Sequence, residues 1–320
     1  MTRAVAAASA PASIGNVGPG FDILGQAFDA ARDTVVAARE DGAGVRLGRV
    51  TGLVTNLPDT PATNTALAAA HAVLEAAGTA FGVRLDIDKG VPIAAGMGGS
   101  AASAVAAASA VNALLGEPFG LYELLPLALE GERVASDPPH WDNVMASLFG
   151  GLVLAARTQP ALVHVLPAPA GIVTVLLHPA AEIRTSEARA LLERTVPLDR
   201  VVEHSRRVAA LVAGCATGDR ALIRAGLDDI LIEPQRCRLL PALPAVKGAA
   251  LAAGALGCSF SGSGPSVFAW VPSEDADTVE AAMRNAFADA GLASRAYRAP
   301  FASAGVRIEP LVPAKIVMAA

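Results

Sequence analysis

Lysine is scarce in this sequence: Lys89, Lys247 and Lys315 are the only ones among 25 basic residues. No Lys/Arg run is long enough to follow phosphates along a duplex, and the net charge is −5, which excludes nucleic acid as a partner. Any phosphate site must therefore rest on backbone amides, arginine or a metal ion. Cysteine is nearly absent too. Cys215, Cys237 and Cys258 are odd in number and show no Cys-x-x-Cys spacing, which argues against structural zinc and a disulfide framework. They read as reduced thiols of a cytoplasmic protein. Long apolar runs are also missing. The Ala-rich stretch 101–115 falls short of the roughly 18–20 residues that a membrane span needs. Ser103, Ser109 and Asn112 interrupt it, so it reads as a buried helix. The opening MTRAVAAASAPA has the single Arg and small residues of an export signal. Its apolar run is Ala-rich, however, and breaks at Pro11 after about seven residues, short for such a core. It reads instead as a first strand, and neither export nor a membrane partner is expected.

What is present suits a large α/β protein. With 320 residues, 53% of them hydrophobic and 17% charged, the chain can bury a sizeable core and exceeds the usual size of one domain. Hydrophobic periodicity predicts strands over 4–8, 34–39, 44–50, 82–89, 152–156 and 161–166, then 172–177, 259–261, 266–271 and 294–298. Helices are predicted over 63–77, 101–115, 121–134, 186–193, 198–217, 219–231, 241–253 and 276–290, the first capped by Thr63 or Asn64. Residues 11–25, with four glycines, read as a loop, and 135–151, with Pro138 and Pro139, are left without an element. Strands and helices alternate throughout, which defines an α+β or α/β class. Pro167–Pro169 marks the best boundary, giving domains of 1–166 and 167–320. No internal repeat stands out.

The strongest chemical signal is Pro-Ile-Ala-Ala-Gly-Met-Gly-Gly-Ser-Ala-Ala-Ser at 92–103, running from a predicted strand into a predicted helix. Glycines let backbone amides face inward without Cβ obstruction. The first turn of the helix leaves N–H groups unpaired and its dipole favours an anion. Ser100 adds a hydroxyl suited to phosphate or Mg²⁺. No Lys follows the glycines, so this is not a Walker loop. Nor do they follow the first strand, as a dinucleotide fingerprint requires. A second glycine turn, Ser-Gly-Ser-Gly-Pro-Ser at 261–266, is explained equally well as a hairpin loop or as a further phosphate contact.

Taken with Pro-Ala-Ser-Ile-Gly-Asn-Val-Gly-Pro-Gly-Phe-Asp at 11–22, these segments resemble, in order and spacing, the three motifs of the GHMP kinases. The resemblance covers essentially the whole chain. Gly-Phe-Asp at 20–22, His-Trp-Asp-Asn at 140–143 followed by Phe-Gly-Gly at 149–151, Thr-Ser-Glu-Ala-Arg at 185–189 and Ile-Glu-Pro-Gln-Arg at 232–236 resemble the branch that phosphorylates L-homoserine. One departure is Gly99, where a first serine is frequent; Ser100 is retained. The resemblance implies an α+β GHMP kinase fold. Its N-terminal domain would be ribosomal-S5-like with a left-handed βαβ unit, and its C-terminal domain an α/β sandwich. General crossover rules would have predicted the opposite hand.

The resemblance also implies the site. Pro92, Ala95, Gly96, Met97, Gly98, Gly99, Ser100 and Ala101, with Gly262, Ser263 and Gly264, would bind ATP. Asn64 would lie on the adenine side, within a loop at 56–64 chosen on position alone. Ser100 and Glu132 would hold Mg²⁺, a hard ion that takes few protein ligands when it is nucleotide-linked. Asn16, Asp22, His140, Asn143, Thr185, Arg189 and Arg236 would line the amino-acid pocket. An ammonium there needs an anion such as Asp22, and a carboxylate needs guanidinium groups such as Arg189 and Arg236. Asn143 would hold the reacting hydroxyl, with Ser100 and Glu132 completing the catalytic set. Read singly, Asp22 is equally an N-cap, Arg189 a solvated helix residue, Glu132 an exposed one and His140 a loop residue. The reaction expected is in-line γ-phosphoryl transfer driven by positioning and charge neutralisation, without an obvious general base. Two alternatives stay open: a family member acting on an isoprenoid precursor or a hydroxy acid, and a non-catalytic ligand sensor on the same scaffold. A homodimer is left open as well.

Overall fold

The computed structural model describes residues 3–310 of the chain. Lys315 and the first two residues of the stretch weighed above as an export signal lie outside them. Two sheets and ten α-helices make up the described residues. Strands β1 (Val5–Gly15), β2 (Leu24–Glu40), β3 (Val45–Gly52), β4 (Gly82–Lys89), β5 (Leu152–Thr158) and β6 (Ala161–Leu166) form the first sheet with β11 (Arg307–Glu309). Its order is β11-β1-β2-β4-β3, with β5 on the near half of β2 and β6 beside β5. The second sheet has the order β10-β7-β9-β8, built from β7 (Ile172–Pro179), β8 (Gly257–Phe260), β9 (Val267–Pro272) and β10 (Ser294–Pro300). The proposed boundary at 166/167 falls between β6 and β7, and β11 returns late in the chain to pair with β1.

Helices α1 (Thr65–Ala76), α2 (Gly99–Leu114), α3 (Leu121–Arg133) and α4 (Trp141–Phe149) cover one face of the first sheet. Every residue of α2 from Ala101 to Leu114 is buried, as a helix apolar all round must be. Its interrupting Asn112 is satisfied by both backbone groups of Phe119. Among the described residues no helix is long and apolar enough to cross a membrane. In the second half come α5 (Thr185–Ala190), α6 (Leu198–Thr217), α7 (Arg220–Gly226), α8 (Glu233–Arg236), α9 (Leu243–Ala252) and α10 (Ala276–Asp289). Helices α9 and α10 bury Val246, Val279, Met283 and Phe287 against one face of the second sheet.

The other face of that sheet packs on the first sheet, with Leu176, Phe268 and Trp270 meeting Ile14, Leu24 and Phe28. Each fully buried side chain such as Phe28 or Phe268 contributes about 1.5–3 kcal/mol. A polar tie crosses this interface. Gln26 donates to Thr174 (3.0 Å) and to the Phe301 carbonyl (3.1 Å), and accepts from the Trp270 indole (2.9 Å). The two sheets are thereby fixed relative to each other, and so is the cleft between them.

Several elements differ from the sequence reading: β2, expected over 34–39, begins already at Leu24, and α5, expected to 193, ends at Ala190. The glycine-rich segment is not a loop from residue 11: β1 continues through Pro11 to Gly15, because the register shifts between Pro11 and Ala12 and a bulge tolerates proline. Residues 141–149 form α4, with Pro138 and Pro139 standing before its first turn rather than inside it. The helix expected over 219–231 ends at Gly226. Asp229 then takes the N–H groups of Leu231, Ile232 and Glu233 and opens α8 instead. Three residues of β11 were too short a signal to read. The three cysteines are free, Cys215 and Cys258 buried, and burial pushes the Cys215 thiol up to about 12.

Candidate active site

The three glycine-bearing motifs touch one another. Ser13 N–H donates to the Met97 carbonyl (3.0 Å), Gly262 N–H to that of Gly15 (2.9 Å) and Ser261 Oγ to that of Gly96 (2.6 Å). Gly96 has a positive φ of 71°, and a Cβ there would lie 2.5 Å from the Ser261 carbonyl oxygen. Gly98 is equally constrained, since a Cβ would meet Ser13 Oγ at 2.0 Å. Sterics thus require glycine at both positions.

Gly98 caps α2 in the left-handed region with no side-chain bond to the first turn. The turn's N–H groups are left for a ligand in the cleft, at the positive end of a helix of 16 residues. Pro92, Ala95, Gly96, Met97, Gly98, Gly99 and Ser100 line that cleft, as do Gly262 and Ser263. Ala101 does not, its side chain being buried in the core, and Gly264 packs behind the turn toward Phe260 and Ile183. Asn64 lines the cleft while capping α1 through Ala66 N–H (3.0 Å) and donating to the Pro58 carbonyl (2.7 Å).

Glu132, from the end of α3, is buried rather than exposed. Its Oε1 accepts from Ser100 Oγ (3.0 Å) and lies 3.4 Å from His140 Nδ1, while its Oε2 is buried without a partner. An orphaned carboxylate oxygen beside a serine hydroxyl and an open helix N-terminus suits a hard cation that takes its remaining ligands from phosphate and water. Among the described residues no cluster of three or more His, Cys, Asp or Glu could hold a metal by itself. Burial draws His140 toward its neutral form, but the bond to Glu132 and the charge of Asp142 outweigh it, and its pKa is raised.

At the other end of the cleft, Asp22 and Arg189 form a two-point ion pair (2.9 and 3.1 Å). Asp22 adopts φ 60° and Asn16 φ 54°, left-handed conformations that Asp and Asn tolerate better than most residues. Asn16 Oδ1 fixes this turn by accepting the Asp22 N–H (2.9 Å). Phe21 carries both arginines, with the guanidinium carbons of Arg189 and Arg236 at 5.3 and 5.2 Å from its ring centroid. Arg236 is buried, donates to the Gly262 carbonyl (3.1 Å) and keeps Nε without a partner. Burial, then the charge of Arg189, lowers its pKa. Thr185 lies 3.3 Å from Ser263 across the mouth.

Asn143 Oδ1 accepts from Ser13 Oγ (2.9 Å), and its amide nitrogen donates to Asp142 Oδ1 (3.2 Å). The neighbouring Asp142 points away from the cleft. It is fully buried, and its two oxygens are taken by the N–H groups of Asn16 (2.7 Å) and Asn143 (2.9 Å). Burial pushes its carboxyl up to about 6, against the opposing charge of His140.

Asn16, His140, Asn143, Thr185, Arg189 and Arg236 thus line one cleft with Ser100 and Glu132, and Asp22 reaches it through Arg189. Sequence reasoning passed over several neighbours. Phe21, beside Asp22 in the first motif, carries no titratable or hydrogen-bonding group that would signal its place under the two arginines. Lys89 and Ser103 also line the cleft. Scarce as lysine is, Lys89 stands three residues before the glycine loop.

The fold and this cleft define a small-molecule kinase class, and the chain belongs to the GHMP kinase family. The model described as the GHMP kinases N terminal domain matches residues 64–151, and that described as GHMP kinases C terminal matches residues 209–289. Its relatives within the family include homoserine kinases. That of Xylella fastidiosa (strain 9a5c) is 45% identical over 304 residues, covering 95% of this chain and 94% of its own. That of Chlorobium phaeovibrioides is 40% identical, covering 93% and 98%. The crystal structure of homoserine kinase from Cytophaga hutchinsonii superposes with a TM-score of 0.92 at 38% identity, covering 97% of this chain and 98% of that one. The fold alone is shared with L. major mevalonate kinase, at a TM-score of 0.69, 16% identity and coverage of 92% and 96%.

Proposed function

We propose that the protein transfers the γ-phosphoryl group of ATP to the side-chain hydroxyl of L-homoserine, giving O-phospho-L-homoserine, with Mg²⁺ as the required ion and the cytoplasm as its place of work. The observation that carries this is the pairing, in one cleft, of an open helix N-terminus beside an orphaned Glu132 oxygen with an Asp22–Arg189–Arg236 cluster. The first half suits a magnesium-bound triphosphate and the second a zwitterion.

ATP supplies the phosphoryl group and Mg²⁺ screens the charge on its oxygens. The chain does the rest by positioning. Backbone amides at 96–101 hold the phosphates with Ser263 of the second glycine turn, since Gly262 and Gly264 spend their N–H groups on the Gly15 and Ser261 carbonyls, while Ser100 and Glu132 would hold the ion. Arg189 and Arg236 take the substrate carboxylate, Asp22 its ammonium, and Asn16, His140 and Thr185 close the pocket around it. Asn143 keeps an amide N–H and an oxygen lone pair to orient the reacting hydroxyl. Asp142 is the one carboxylate adjacent to Asn143 in sequence, and its oxygens are occupied by protein N–H groups. That supports a reaction without a general base, in which the hydroxyl proton leaves late and passes to the phosphate. This reading keeps 1–166 as the domain that carries the phosphate loop and 167–320 as its partner, except that β11 (Arg307–Glu309) belongs to the first sheet.

Release of ADP from the purified protein tests the reading, with L-homoserine, L-serine, mevalonate and a hydroxy acid as acceptors, with and without Mg²⁺. Turnover is expected with L-homoserine and Mg²⁺ together. Preference for a non-zwitterionic acceptor, or ATP binding without turnover on any acceptor, would overturn it.

A further inference from the structure

Beneath the phosphate loop lies a buried ion pair for which the reaction above finds no use. Asp33 sits on β2 and Lys89 ends β4, and both are buried. The Asp33 carboxylate is saturated. Its Oδ1 accepts the N–H groups of Gly90 (3.1 Å) and Val91 (3.0 Å), the two residues that lead into the loop. Its Oδ2 accepts from Ser103 Oγ (2.6 Å), one turn into α2, and from Lys89 Nζ. Lys89 Nζ also donates to Ser103 Oγ (2.8 Å) and to the Gly99 carbonyl (3.1 Å). One carboxylate and one ammonium therefore tie the strand that enters the loop to the helix that leaves it.

Stability alone is a poor account of such a pair. Taking two charges out of water costs several kcal/mol per ion, and apolar replacements of buried pairs are often neutral or stabilising. The pair does impose geometry. A trans peptide sets C=O and N–H antiparallel, so holding the Gly99 carbonyl on Lys89 turns the Ser100 N–H toward the open end of α2. Asp33 meanwhile fixes the direction of the chain at residues 90–91. Loop residues 92–98 are suspended between those two points.

We infer that Asp33 is a positioning residue for phosphoryl transfer, acting through Gly90, Val91, Lys89 and Ser103 to preset the loop whose amides grip the nucleotide. This rests on the proposed kinase reading. It places Lys89 in the nucleotide site as a strut of the loop, while the phosphates are held by main-chain amides.

The experiment is titration calorimetry with the non-hydrolysable analogue AMPPNP and Mg²⁺, alongside steady-state kinetics, on wild type, Asp33→Asn and Ser103→Ala. Asn keeps the shape of Asp33 but turns an amide NH₂ toward hydrogen-bond donors, so AMPPNP affinity should fall and the KM for ATP rise by about tenfold. Ser103→Ala removes one of the two ties to α2 and keeps the ion pair and the Lys89–Gly99 bond, and should shift both in the same direction by about threefold. Homoserine affinity measured without nucleotide should stay within about twofold of wild type in both variants. If both variants bind AMPPNP as wild type does and lose only thermal stability, the inference is overturned. If Asp33→Asn does not fold, Ser103→Ala decides by the same measurement. A wild-type protein that binds no AMPPNP overturns instead the kinase reading underneath.

Discussion

On the proposed function, Arg236→Met isolates the end of the cleft that receives the substrate carboxylate. In the free protein this guanidinium is buried on Phe21 with one bond to the Gly262 carbonyl and an unpartnered Nε, which is an unfavourable place for a charge until an anion arrives. Removing one member of a buried, hydrogen-bonded charge pair costs about 2–5 kcal/mol of binding. Each ~1.4 kcal/mol is tenfold. The KM for homoserine should therefore rise at least about 30-fold, and above about a thousandfold at the upper end. Methionine retains the apolar stem and a favourable sulfur contact with Phe21, so the free variant should melt at or above the wild-type temperature. The assay pairs the KM for homoserine at saturating ATP with thermal unfolding in the absence of ligands, with the KM for ATP as control. An unchanged homoserine KM would refute the assignment. A melting temperature several degrees lower would refute the reasoning, because Arg236 would then be a strut rather than a receptor.

Two further outcomes follow from the buried carboxyls. Glu132→Gln replaces an orphaned oxygen by a neutral amide and should raise the Mg²⁺ concentration for half-maximal activity on the order of tenfold without lowering stability; a metal titration with unchanged midpoint would remove Glu132 from the ion's shell. Asp142 is pushed up to about 6 from an ordinary 3.8, so the folded state binds its proton more tightly than the unfolded state does. Its stabilising contribution is complete below about pH 4 and is lost as pH rises through 6, and between pH 5 and 7.5 wild type should lose about 1 kcal/mol relative to Asp142→Asn. Denaturant unfolding at the two pH values measures this, and a difference that does not change with pH would show that the carboxyl titrates normally.

Much of this was legible because the signals are local. The match of β4 and β6 to alternating or compact apolar runs, the Asn64 cap of α1 and the buried Ala-rich α2 follow from periods and caps within a few residues. The glycine loop was readable for the same reason, since three glycines and a helix start lie within one short stretch. The losses share another cause. Pro11 breaks a strand by propensity, yet the bulge that accommodates it is made by residues 29–31 on the opposite strand. Helix α4 was hidden by its prolines, although its buried face of Val144, Met145 and Leu148 has helical spacing. Asp33 and Lys89 are 56 residues apart, and neither carries a local mark of the other. Asp142 was readable as an acid, but its orientation depends on the Asn16 turn, which positions an N–H across a gap of 126 residues.

The two arginines of the cleft divide one task by burial. Arg189, on the short α5, is partly exposed and already paired with a partly exposed Asp22. Such a pair is worth about 0–1 kcal/mol in water, so opening it costs little. Arg236 is buried, stacked on the same Phe21 and held by the Gly262 carbonyl, so it has a fixed direction and an unmet demand for an anion. On the proposed reading, an entering zwitterion exchanges one ion pair for two: its ammonium takes Asp22, and its carboxylate takes the released Arg189 together with Arg236. An acceptor with a carboxylate and no ammonium leaves Asp22 competing with it for Arg189. An acceptor with neither charge opens nothing and leaves Arg236 unpaired. On that reading, selectivity for an amino-acid alcohol arises less from the shape of the pocket than from a charge balance that only a substrate carrying both signs restores.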